Sequence, residues 1–359
     1  MRLPFLKLKS KKAILGLDIG NKNTKIINLE SNKKNKFKLN HCITVPTPPN
    51  VFSAGEISNP SVLSEFITNQ VLSLGIDNEI EIVLGLSGKG MIAKKIDIPE
   101  IEDYMIPEYV EIEAEQEVFY NKEEMFLEYQ ILEGIQKEDQ SNSKSVFAIT
   151  VLKKIIESYG EAVPKDIVSC KVIDTNFSAL FNIFEYTKNL DPKSIYMVID
   201  TGHLLTNVIF VIKNQIVFAR NISLGGHFFT QEIQKRLSLE YSAAEDLKIT
   251  SSQAENSPDN VVSFLKNDLV HQFIEELVSC YELYLSFYPD QQINETYMTG
   301  GNSQLLGFSE AFKAKFNTPV YFLNPFQKMS QNSILPKENN SFYFHCVSAG
   351  LALRGMEND

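Results

Sequence analysis

No run in this 359-residue chain approaches the roughly 18 to 20 apolar residues that a bilayer-spanning helix needs, and its first residues carry no hydrophobic leader. A cytoplasmic protein is the expectation. Positive charge is scarce: 34 Lys and Arg stand against 45 Asp and Glu, for a formal net charge of −11. Phosphate backbones select clustered Lys and Arg, so the balance argues against general nucleic-acid binding and reads as solubility. The four cysteines, Cys42, Cys170, Cys280 and Cys346, form no C-x-x-C pair, which suggests neither a zinc site nor a disulfide framework. Buried reduced thiols are expected. The five histidines show no metal-ligand spacing, and only His203 falls inside a motif.

What is present is a globular composition, 43% hydrophobic and 22% charged, in a chain too long for one ordinary domain. Two or more lobes are expected. Residues 1–12 mix apolar and basic side chains; Pro4 and the shortness of the segment favour a tail over a membrane-surface helix.

Two stretches say nearly the same thing: Leu17-Asp18-Ile19-Gly20-Asn21-Lys22-Asn23-Thr24-Lys25 and Ile199-Asp200-Thr201-Gly202-His203-Leu204-Leu205-Thr206. Each follows an apolar run that reads as a buried strand, ends it on Asp, turns on Gly and enters a second strand. A glycine turn lets amide N–H groups approach an anion, while the Asp can hold an accompanying Mg²⁺ through water. Two such hairpins facing each other make a phosphate clamp.

The patterning predicts strands at 13–17, 24–29 and 37–45, then a helix capped by Asn59 with Pro60 in its first turn. Strands at 79–86 and 91–98 follow, with a helix over 107–119 opening an acidic stretch that reads as an inserted subdomain. Within it, 138–144 reads as a loop between strands 126–132 and 146–151. A helix from 153, a strand at 169–174 and a helix at 178–188 lead to the second lobe. That lobe repeats the plan with strands at 195–200, 207–212 and 216–221, the sheet ending at Gly225-Gly226. Helices at 230–237 and 243–249, a polar linker at 250–259, a long amphipathic helix over 261–287, a strand at 296–299, a turn at 300–303 and a helix at 304–316 complete it.

A single D-x-G turn is also an ordinary hairpin signal, since Asp and Gly dominate turns. The ordered set carries more: the Asp18 hairpin, the Asp200 hairpin, Gly225-Gly226, Ala244-Glu245-Asp246-Leu247-Lys248 and Gly300-Gly301-Asn302-Ser303. Glu245 and Lys248, three apart on one helical face, can reach the same ligand edge. Gly300 and Gly301, between a buried strand and a helix, let backbone approach a flat base. Leu86-Ser87-Gly88-Lys89-Gly90 lacks the spacer and the hydroxyl of a Walker A loop and reads as a turn.

This set resembles the nucleotide site of the actin-like ATPase superfamily, and the chain more closely resembles the PilM family of type IV pilus assembly. The closer resemblance rests on Leu15-Gly16-Leu17-Asp18-Ile19-Gly20 with Lys25, and on Lys95-Ile96-Asp97-Ile98-Pro99 followed by Glu111-Ile112-Glu113-Ala114-Glu115-Gln116. It rests also on Arg220-Asn221-Ile222-Ser223-Leu224-Gly225-Gly226 with Thr230, Ala244-Glu245 and Lys248. It implies an α/β, actin-like (RNase H-like) duplicated two-lobed fold with a central nucleotide cleft and an inserted FtsA-type 1C subdomain. The expected division is 1–78 and 171–194 for subdomain 1A, 79–170 for 1C, 195–225 and 293–359 for 2A, and 226–292 for 2B.

The resemblance further implies ATP and Mg as ligands. The expected nucleotide contacts are Asp18, Gly20, Asn21, Asn23, Thr24, Lys25, Asp200, Gly202, His203, Thr206, Gly225, Gly226, Glu245, Lys248, Gly300, Gly301, Asn302 and Ser303, with Asp18 and Asp200 on Mg through water. Hydrolysis is expected to be slow at most. The implied partner is the cytoplasmic tail of a PilN-like inner-membrane protein, held in a groove between 1A and 1C at the inner membrane's cytoplasmic face. Two alternatives stay open at this point: an FtsA-like division protein, and a small-molecule kinase using Asp174 at a strand end as general base.

Overall fold

The computed structural model describes residues 12–32, 36–53, 55–86, 88, 90–116, 118, 121–135, 144–253, 264–331 and 341–357. Residues 1–11 of the basic tail, 138–143 of the expected loop at 138–144 and most of the expected linker at 250–259 lie outside these. Strands β1 (Ala13–Ile19), β2 (Asn23–Asn32) and β3 (Lys36–Pro46) form an antiparallel meander. A short ribbon, β4 (Phe52–Ser53) with β5 (Glu56–Ile57), leads to helix α1 (Pro60–Ser73), where the Val62 amide donates to the Asn59 side chain at 3.5 Å and Pro60 sits in the first turn. Strand β6 (Ile80–Leu86) then pairs parallel to β1.

From β7 (Met91–Ile98) the chain leaves the first lobe to build a separate layer with helix α2 (Ile106–Glu115), β8 (Met125–Ile131) and β9 (Lys144–Leu152). These three strands make their own sheet, ordered β7-β9-β8, over a small core that includes Ile96, Ile98, Val110 and Val146. Helix α3 (Lys153–Glu161) and strand β10 (Ser169–Thr175) return, and β10 pairs parallel to β6. The inserted unit is thus carried by β7 to β9, a narrower span than 79–170. Strand β6 is flanked by β1 and β10, and Tyr159, Ala162 and Val163 at the end of α3 share a core with Leu15 and Leu63.

Helix α4 (Asn176–Thr187), N-capped by Thr175, crosses to the second lobe. There β11 (Ile195–Thr201), β12 (Thr206–Ile212) and β13 (Gln215–Ile222) repeat the meander. Helices α5 (Gly226–Leu237), α6 (Tyr241–Gln253) and α7 (Val270–Phe287) precede β14 (Glu295–Thr299), α8 (Phe308–Phe316) and β15 (Val320–Phe322). Strand β14 pairs parallel to β11, and β15 to β14. The sheet order β13-β12-β11-β14-β15 therefore reproduces β3-β2-β1-β6-β10 of the first lobe in both order and sense. Strand β12 is buried at all seven positions, as the near-continuous apolar reading requires of a sheet covered on both faces.

The last part of the chain does not stay in the second lobe, as the division at 293–359 had it. Strand β16 (Ser330–Gln331) pairs with β3, and helix α9 (Cys346–Met356) lies on the first sheet and α4. Small residues permit this approach. A Cβ on Gly16 would fall 2.1 Å from the Ser348 carbonyl oxygen, and one on Gly350 would fall 1.8 Å from that of Ala179. Three further expectations shift: α5 starts at Gly226 rather than 230, α6 runs on to Gln253, and α8 starts at Phe308 rather than 304.

Candidate functional site

Both D-x-G turns close in the same way. The Gly20 amide donates to the Asn23 carbonyl at 3.1 Å, and the Gly202 amide to that of Leu205 at 2.9 Å. Antiparallel register places Lys25 opposite Asp18 and Asn207 opposite Asp200. Lys25 Nζ donates to Asp18 Oδ2 at 2.8 Å, and Asn207 Nδ2 donates to Asp200 Oδ2 at 3.0 Å. The first turn is braced by Thr47, which donates through Oγ1 to the Gly20 carbonyl at 2.6 Å, sits 2.9 Å from Thr24 Oγ1 and donates its amide to the Lys22 carbonyl at 3.0 Å. Asn21 lies at the turn's tip beside Lys22.

The two acids converge. Burial raises the Asp200 carboxyl to about 6; the Asn207 hydrogen bond opposes that shift, the Asp18 charge adds to it and Lys25 opposes it. Burial works against the Lys25 ammonium, yet Asp18 beside it and Asp200 across from it outweigh burial and hold its pKa above the ordinary value. Each lobe therefore feels the other's charge, which puts Asp18, Lys25 and Asp200 near one another on the facing sides of the two lobes. Asn207 Oδ1 and Thr201 Oγ1, both near this point in the strands, are buried with no hydrogen-bond partner among the described residues.

The second turn is braced by two segments, the start of α5 and the 300–303 turn. Gly226 and His227 amides donate to the Gly202 and His203 carbonyls at 3.0 and 2.8 Å, and Asn302 Nδ2 donates to the Gly202 carbonyl at 2.7 Å. Gly226 leaves room for this bond, because a Cβ there would lie 2.2 Å from Asn302 Oδ1 and displace the Asn302 side chain. Gly300, at φ +87°, turns β14 directly onto the acid: its Cβ would fall 2.7 Å from Asp200 Oδ1. Gly301 faces the Phe344 ring, Ser303 Oγ donates to the Gly300 carbonyl at 2.8 Å, and Thr206 Oγ1 donates to the Leu224 carbonyl at 2.8 Å. Gly225 lies against the His203 carbonyl. Burial, with repulsion from His227, lowers His203 to about 4, so its ring is neutral at pH 7.

Glu245 and Lys248 turn first to each other. Lys248 Nζ donates to Glu245 Oε2 at 2.9 Å, to the Gly226 carbonyl at 3.0 Å and to Thr230 Oγ1 at 3.1 Å, which uses all three ammonium hydrogens. Thr230 also donates to Glu245 Oε2. Burial would raise the Glu245 carboxyl, but Lys248, Lys22 and Thr230 overcome it and hold it down at about 2. Its other oxygen accepts from Lys22 Nζ at 2.5 Å, so the first hairpin is ion-paired to helix α6 of the second lobe. Lys248 is thus a strut between α5 and α6 in this state, rather than a group pointing into the cleft. Nor do Gly300 and Gly301 open onto a helix N-terminus, since the six residues 302–307 separate them from α8.

Sequence reasoning missed Lys22, Thr47 and Asn207. The 182-residue offset that matches Asp18 to Asp200 also matches Lys25 to Asn207, so the repeat itself held that signal. Lys22 and Thr47 act through contacts between distant segments and left none. The kinase alternative loses its base. Asp174 Oδ1 accepts from the Thr175 amide at 2.7 Å and Oδ2 lies 3.7 Å from Arg354 Nε of α9, so the carboxylate is engaged in holding α9.

A duplicated five-stranded α/β sheet with an acid-bearing hairpin from each copy at one cleft defines an actin-like ATPase fold. Ethanolamine utilization protein EutJ from Carboxydothermus hydrogenoformans shares it, with TM-score 0.55 and 12% identity over 96% of this chain and 90% of that one. The structure of a PilM-PilN type IV pilus biogenesis complex contains a chain that is more similar, with TM-score 0.78 and 23% identity over 96% of this chain and 99% of that one. The model of the type IV pilus assembly protein PilM family matches residues 16–356, and the chain belongs to that family.

Proposed function

We propose that this chain is an ATP-binding cytoplasmic scaffold of type IV pilus assembly that grips the cytoplasmic tail of a PilN-like inner-membrane protein. The observation that carries the nucleotide half is the convergence of Asp18, Lys25 and Asp200 from the two repeats on one cleft. The residues present suit a magnesium nucleotide. Lys25 supplies a cation for phosphate, the Gly20 and Gly202 turns allow close backbone approach, and Asp200 with the unpartnered Asn207 Oδ1 offers oxygens for metal-bound water. When bound, Mg²⁺ neutralises phosphate charge between the lobes. Glu245 is the residue for the ribose edge, with Gly300 and Gly301 alongside.

The partner half draws on the family and on the neighbour solved as a complex with PilN. Among the described residues β10 is an edge strand of the first sheet, beside a cavity of about 570 Å³ lined by Gly160, Val163, Val168, Cys170 and Ile173 and rimmed by Glu157, Glu161 and Lys165. An edge strand with an apolar hollow suits an extended peptide tail. No described helix is long and apolar enough to cross a membrane, which fits attachment through a partner.

The inserted unit gives the two halves a physical link. The Glu133 amide and carbonyl exchange hydrogen bonds with the Gln215 side chain, both at 2.9 Å, and Lys95 Nζ lies 5.3 Å from the centre of the Tyr288 ring. Nucleotide bridging the lobes therefore bears on the inserted layer. At 100-fold above Kd, nucleotide would stabilise the closed form by about 2.7 kcal/mol. The test is capture of the full chain by the membrane partner's cytoplasmic tail, with and without Mg·ATP, beside a melting curve. Capture strengthened by nucleotide and a raised Tm, both lost in Asp200→Ala, are expected; an unmoved melting curve sinks the nucleotide half.

A further inference from the structure

We infer that Lys22 is a latch that holds the cleft shut when no nucleotide is bound and lets go to admit it. The latch itself stands on geometry alone, while its release by nucleotide rests on the reading above. Lys22 occupies the tip of the first hairpin, where the Thr47 amide, donating to its carbonyl at 3.0 Å, fixes its backbone. Its side chain is 40% exposed and reaches across to Glu245 Oε1 at 2.5 Å, so the pair spans the cleft between β2's turn and α6.

Glu245 is a fixed anchor for that reach. Its other oxygen is held by Lys248 and Thr230, and Lys248 is itself tied to the Gly226 carbonyl at the start of α5. The carboxylate cannot swing away to follow Lys22, so the pair breaks whenever hairpin and helix separate. With all its bonds made, Glu245 also has no oxygen free of a cation. A sugar hydroxyl reaches Oε1 only after Lys22 leaves it, and the released ammonium, on the same turn as Gly20 and three residues before Lys25 of the Asp18–Lys25 pair, is then placed for a phosphate oxygen. Ligand and latch compete for the same two groups: nucleotide exchanges one cross-cleft tie for another.

Amide hydrogen exchange of the nucleotide-free full chain tests the latch directly. Lys22→Met is expected to speed exchange in the 20–23 turn and across α6 by about fivefold, the scale of losing one half-exposed ion pair, while Lys22→Arg stays like the wild type. Exchange unchanged in Lys22→Met overturns the latch. Stopped-flow mixing with a fluorescent ATP analogue reads the release: Lys22→Met should associate faster than wild type, and equal or slower association overturns the gating. A wild-type chain that fails to bind the analogue at all defeats the nucleotide reading and with it the release, while the exchange result still decides whether Lys22 holds the cleft.

Discussion

Lys25 and Asn207 hold the same position in the two repeats, each directly across a strand pair from an acid and each donating to its Oδ2, at 2.8 Å from Asp18 and 3.0 Å from Asp200. One is a cation and the other a neutral amide. The pair of hairpins is therefore asymmetric: Asp18 is ion-paired within its own lobe, whereas Asp200 has a neutral amide beside it there. On the proposed reading, a divalent cation would gain more at the second acid than at the first.

Lys25→Met should remove the anion-facing cation and leave Asp18 without a partner in a mostly buried setting. Urea unfolding at pH 7 is expected to report a loss of about 1 to 3 kcal/mol, with ATP affinity falling about tenfold or more by titration calorimetry. Unchanged affinity would mean that the first hairpin does not meet phosphate.

Asp200→Asn should stabilise the nucleotide-free protein. An acid whose folded pKa, about 6 here, lies above its unfolded value of 3.8 costs stability at all pH values above 6, and the cost fades as pH falls from 6 towards 4. The variant is expected to gain about 1 to 2 kcal/mol at pH 7.5, with the gain gone by pH 4, and to lose any Tm rise on adding Mg·ATP. On the proposed reading, protons and Mg²⁺ would compete for this carboxylate in the wild type, so metal-dependent nucleotide affinity should fall between pH 8 and 6.

His345 provides the opposite slope. Burial, with repulsion from Lys25, lowers its pKa to about 3, and His203 is lowered to about 4. A histidine lowered on folding contributes stability that is whole above about 6.5 and is lost as pH falls towards its folded pKa. Chemical denaturation from pH 6 to 4.5 should show His345→Gln with a slope shallower than wild type by up to about 1.4 kcal/mol per pH unit. Parallel slopes would show that His345 takes up its proton without unfolding.

Gly350→Val should be among the most damaging single changes in the chain. The new side chain would drive into the Ala179 carbonyl where α9 meets α4, at a spacing no rotamer relieves. A loss of about 3 kcal/mol or more, or failure to accumulate as folded protein, is expected, against little effect from a Val at Gly160, where nothing lies within 4 Å of the added Cβ.

The lobes and their order were legible because their signals are local. Continuous apolar runs bounded by D-x-G turns marked β1 and β11, Asn59-Pro60 marked the start of α1, and the Asp18 to Asp200 spacing announced the duplication. Even Asn207 was within reach of that spacing. The strand at 79–86 misled because a buried strand reads alike in either sheet; only its flanking by β1 and β10 assigns it.

Sequence by itself thus determined that two copies of one acid-tipped hairpin exist, since strand periodicity and the backbone freedom of glycine are properties of a few adjacent residues. Tertiary structure alone decided that α9 returns to the first lobe and that Lys22 crosses to Glu245. These depend on which surfaces meet when segments more than 150 residues apart pack, and the distance at which an ammonium finds a carboxylate is set by that packing, not by anything its neighbours in the chain encode.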